Sequence, residues 1–118
     1  MTLGFLMIVL TFLDSGELSA AFVNTPTLEE CEARGATVRT ILEEGNVTIE
    51  QLVCRASQAQ FEPFMHGGEE DAERHAYVVA FDDERARVEP VADCDAARPT
   101  EAGRYCVTST QKQLSQAQ

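Results

Sequence analysis

The sequence predicts an α+β domain: one N-terminal amphipathic helix packed on a small, mainly antiparallel sheet of three to four strands, stapled by disulfides. Three observations predict it. One apolar stripe at helical spacing precedes a series of short β-rich segments. Four cysteines fall within 118 residues. Ahead of both lies an apolar run with the form of an export signal.

Leu3 to Leu13 (LGFLMIVLTFL) is apolar throughout apart from Gly4 and Thr11. As a helix it would reach about 16 Å, roughly half a hydrocarbon core, which suits a signal region better than a bilayer span. Ser19-Ala20-Ala21 follows the small-x-small rule, so cleavage is expected before Phe22, with the bond before Ala21 as second choice. Met1-Thr2 carries no lysine or arginine, a departure from the usual signal. The expected organisation is a signal peptide over 1–21, a domain over 22–110 and a disordered polar tail over 111–118. No stable membrane span is expected after cleavage.

The helix comes first in the domain. Thr27-Leu28-Glu29-Glu30 is a capping-box pattern, and Leu28, Cys31, Gly35, Val38 and Leu42 form one stripe. Gly35 within that stripe costs about 1 kcal/mol against alanine, so its use implies close approach to a sheet. Gly45-Asn46 is a stop signal, which bounds the helix to about 28–44.

Val47 to Arg55 reads as a strand with Val47, Ile49, Gln51 and Val53 on one face and Leu52 and Cys54 on the other. Residues 56–75 have no clear period. Ala76 to Phe81 and Arg85 to Val91 read as a hairpin about the turn Asp82-Asp83-Glu84, with Pro90 confining its strand to an edge. Tyr105 to Ser109 is a last short strand.

Cys31, Cys54, Cys94 and Cys106 are even in number in a chain that reads as exported, which points to disulfides. Their spacings fit neither a zinc site nor a CxxC redox motif. Pairing Cys31 with Cys54 and Cys94 with Cys106 closes two local loops, each contributing roughly 3 kcal/mol by chain entropy.

Composition narrows the function. The chain carries 44% apolar and 25% charged residues, an ordinary globular balance that excludes a disordered chain and a polytopic membrane protein. Twenty acids against nine bases, a formal charge of −11, exclude nucleic acid as a partner. Removal of 1–21 would leave nine bases against eighteen acids, a charge of −9. Eight of the nine bases are arginine, as in GC-rich bacterial coding sequences, and with the disulfides this predicts a periplasmic or secreted protein.

No catalytic constellation emerges. There is no GxSxG, no serine with an identifiable base, no tryptophan to line a sugar cleft, and no phosphate loop around Gly67-Gly68. The acidic turns at Asp82-Asp83-Glu84 and Asp93-Cys94-Asp95 lack the pattern of a calcium loop. Asn46-Val47-Thr48 is a glycosylation sequon with meaning only in a eukaryotic secretory pathway. Neither a cofactor nor a resident metal is expected.

The most unusual stretch is Phe61 to Gly68, FEPFMHGG, followed by acids. Phe61, Phe64, Met65 and His66 are candidate contacts of a docking loop, with Glu69, Glu70 and Asp71 steering a basic partner. The expected function is therefore a non-catalytic protein-interaction module, accessory or inhibitory. The alternatives are a metal or small-ligand binder through His66, His75 and nearby carboxylates, or a small hydrolase.

Overall fold

The computed structural model describes residues 4–13, 16–61, 74–94, 103–111 and 113–116. Its elements in chain order are β1 (Gly4–Phe12), β2 (Leu18–Thr25), α1 (Leu28–Glu44), β3 (Ile49–Ser57), β4 (Ala59–Phe61), β5 (His75–Phe81), β6 (Ala86–Val91), β7 (Arg104–Ser109) and β8 (Gln113–Gln116). Six strands form one sheet in the order β3-β1-β2-β7-β5-β6, and β4 with β8 forms a second, two-stranded sheet. The expected three-to-four-stranded, mainly antiparallel sheet is thus corrected. The described residues are mostly β, 58% strand against 20% helix, and the large sheet is mixed because β2 runs parallel to β7.

The difference arises at both ends of the chain. Gly4–Phe12 and Leu18–Thr25 form an antiparallel hairpin, with Met7 opposite Val23 and Thr11 opposite Ser19. β1 also pairs along its length with β3. At the other end, Gln113–Gln116 pairs with Ala59–Phe61.

The sheet curls. β3 and β6 are its two edges, and in a flat sheet five strand spacings would separate them by about 24 Å. Instead the Ala56 N–H donates to the Glu84 carbonyl at 3.0 Å. Arg55 reaches across the same gap to the Asp82 carbonyl and lies over the Phe81 ring. The result is a partly closed barrel.

Its inner face holds the larger core. Leu6, Ile8 and Leu10 of β1 meet Ala20 and Phe22 of β2, Tyr77 and Val79 of β5, Val88 of β6 and Val107 of β7. Phe61 of β4 stacks on Phe22 with ring centroids 4.0 Å apart, and Tyr77 meets both rings edge-on. The outer face of β1 and β3 carries α1. Met7, Val9 and Cys31 form the second core there, with Leu52 and Val38 packed against it.

The helix, the 76–91 hairpin and the strand at Tyr105–Ser109 lie where the sequence places them, although β8 follows that strand. Thr27 caps α1 by accepting from the Glu30 N–H, and Asn46 turns the chain out with φ of 59°. A Cβ added at Gly35 would sit 3.1 Å from the Leu52 side chain, so the glycine does permit the close approach inferred for it. Both expected disulfides are present. Cys31–Cys54 pins α1 to β3, and Cys94–Cys106 ties the segment after β6 to β7. Two disulfides are consistent with an oxidising compartment. Among the described residues, no helix is long and apolar enough to cross a membrane.

The β5–β6 turn is locked by Asp82. Its Oδ1 accepts from the N–H groups of Arg85 at 2.9 Å and Glu84 at 2.8 Å. These bonds, that of Arg85 first, hold the carboxyl below its ordinary pKa. Its contribution to stability is therefore present above the unfolded-state pKa and lost as pH falls through the lower folded value. Asp82→Asn is expected to lower Tm at pH 7 and to shrink the loss of stability as pH falls below about 4. Thermal unfolding of both proteins across that range measures it; parallel curves would refute the assignment.

Candidate functional site

β1 and β2 alternate across the sheet, so Met7, Val9 and Thr11 share the helix side with Val23, Ala21 and Ser19 opposite them. The helix does not cover this surface evenly. The Cys31–Cys54 bond and the Gly35–Leu52 contact draw α1 toward β3. Its next stripe, Arg34, Val38 and Leu42 at i, i+4 and i+8, is left facing β2 across a gap.

That gap is a cavity of about 540 Å³. Its walls are Met7 and Val9 of β1, Val38 and Leu42 of α1, and Ala21 and Val23 of β2. Ser19 and Ala21 are small, and the space exists because neither fills it. Phe22 and Phe61 reach the margin of the cavity from the inner core. Among the described residues that line it, Arg34 alone carries a charge. Among the described residues its guanidinium makes no ion pair.

β7 leaves β2 early. The two strands pair only at Ser19 and Thr108. Beyond that point side chains replace a strand. Gln111 accepts from the Phe22 N–H through Oε1 and donates from Nε2 to the Phe22 carbonyl, both at 2.7 Å. Asn24 donates to the Ala59 carbonyl and accepts from the Phe61 N–H. At the other end of β2, Arg74 donates to Ser19 Oγ and to the Thr108 hydroxyl and carbonyl.

Of the residues singled out in the sequence as partner contacts, only Phe61 is described, and it borders the groove. Phe61, expected on a docking loop, is 7% exposed and serves the core, because it is the aromatic surface that closes over Phe22. Phe64, Met65, His66, Glu69, Glu70 and Asp71 lie outside the described residues. His75 opens β5 opposite Ser109 and is half-buried. Among the described residues, no group of three or more His, Cys, Asp or Glu side chains is arranged to hold a metal ion.

No protein family, curated protein or solved structure matches this chain. The groove had a partial signal in the sequence, since Arg34, Val38 and Leu42 share a helix face. The other wall did not: Ser19-Ala20-Ala21 has the look of a cleavage site, and only the fold turns Ser19 and Ala21 toward the helix.

Proposed function

We propose that the protein is a non-catalytic binding protein of the periplasm or the cell exterior, with the groove between α1 and β2 as its site. One observation carries the proposal: a cavity of about 540 Å³, walled mainly by aliphatic side chains, opens between α1 and β2. Ligand sites are commonly apolar concavities of about 300–1,000 Å³ with few polar groups. The walls belong to a disulfide-pinned helix and to paired strands, so the space is preformed. Both disulfides support the compartment.

Val38→Phe tests the site, because the larger ring projects from the helix into the cavity while the helix keeps its packing through Cys31 and Gly35. A neutral solvatochromic dye such as Nile red is expected to bind the wild type with one-to-one stoichiometry and a blue-shifted emission. The variant is expected to lose that emission while keeping the wild-type Tm within a few degrees. Equal dye binding by both proteins would place the site elsewhere.

A further inference from the structure

We infer that the groove takes an anionic amphiphile, a carboxylate on an apolar tail, with its head at Arg34; this deepens the binding-protein proposal and rests on it. The lining is lopsided in charge. Glu29, Glu30, Glu32, Glu43 and Glu44 belong to the same helix, yet none lines the cavity, whereas Arg34 does. In a chain of formal charge −11, the one charged residue among the described residues that line this apolar space is a cation. Its guanidinium is exposed and has no ion pair among the described residues, although Glu30 lies one turn before it. A planar fork of N–H donors of this kind suits a carboxylate.

The length of the groove defines the rest of the ligand. Cys31 is bonded to Cys54, which lies opposite Met7, and Gly35 abuts Leu52, which lies opposite Val9. The helix therefore runs in the direction of β1, and Leu42 comes near Thr11 at the far end. Arg34 and Leu42 are eight residues apart, about 12 Å along the helix. Between them the walls are Met7, Val9, Ala21, Val23 and Val38, with no charge to desolvate. A medium-chain alkyl tail anchored by its head at Arg34 fits that length. A cation would meet Arg34 with like charge. A neutral alcohol would have the tail contacts without the ion pair.

Decanoate, decanol and decyltrimethylammonium, each below its micelle concentration, separate these contributions. Each is titrated into the isotopically labelled full chain and followed by backbone amide shifts. Decanoate is expected to shift Ala21, Val23, Val38 and Leu42 and to bind about tenfold more tightly than decanol. Arg34→Gln is expected to weaken decanoate about tenfold and to leave decanol unchanged. Arg34 is exposed, so the variant is expected to fold; its spectrum away from the groove checks this. Equal binding of decanoate and decanol, with no effect of Arg34→Gln, would overturn the anionic ligand and leave the groove as a site for neutral molecules. Binding strongest for decyltrimethylammonium would overturn it as well. Failure of all three to perturb the groove would overturn both this inference and the binding-protein proposal.

Discussion

A chain that begins at Phe22 is expected not to fold. Residues 1–21 contain the whole of β1, which pairs with β2 on one side and β3 on the other. Leu6, Met7, Ile8, Val9 and Leu10 are each at most 4% exposed. At about 1.5–3 kcal/mol for each buried side chain, their loss amounts to about 7–15 kcal/mol. That matches the entire net stability of an ordinary domain, about 5–15 kcal/mol. The cut also strips β3 of β1, its hydrogen-bonded neighbour in the sheet, and removes the floor beneath α1. Far-UV circular dichroism and thermal unfolding of residues 22–118 against the full chain measure the effect. No cooperative transition is expected from the shorter chain. A native-like transition with both disulfides formed would mean that the segment is a dispensable leader and that the central hairpin is not needed.

The same segment explains what the sequence hides. A strand buried on one face alternates, but β1 is buried on both: Leu6, Ile8 and Leu10 face the barrel interior, and Met7 and Val9 face α1. Such a strand reads as an unbroken apolar run, with the composition of a signal segment. Periodicity cannot tell the two apart, and the small residues Ser19, Ala20 and Ala21 complete the likeness. Elements with one wet face were legible. α1 shows its stripe because its other side is solvated, and the 76–91 hairpin shows Tyr77 and Val79 inside with a polar turn between its strands. Both disulfides were legible because each joins elements close in the chain. β8 left no mark: Leu114 is its only large apolar residue and is 63% exposed, and its pairing with β4 spans about half the chain. The groove was half legible, its helical wall written in the stripe and its strand wall dependent on the hairpin.

Gln111→Leu is expected to destabilise the domain by about 2–6 kcal/mol, because it leaves two buried backbone groups without partners at about 1–3 kcal/mol each. Gln111 is 2% exposed, and its amide engages both the N–H and the carbonyl of Phe22. A strand would make the same two bonds, so the side chain stands in for a ladder that β7 does not continue. Its backbone is fixed in turn: its N–H donates to Ser109 Oγ, and its carbonyl accepts from the Tyr77 hydroxyl at 2.9 Å. That hydroxyl accepts from the Gln113 N–H, which leads the chain into β8. Loss of the amide therefore frees the outer edge of β2, where Phe22 also borders the groove. Thermal unfolding is expected to show a fall in Tm of roughly 10 °C or more. Gln60→Ala, on the exposed position of β4, is expected to stay within about 0.5 kcal/mol of wild type. Wild-type stability in Gln111→Leu would mean that Phe22 finds other partners, and that the edge of β2 is held by packing of its ring between Phe61 and Tyr77 alone.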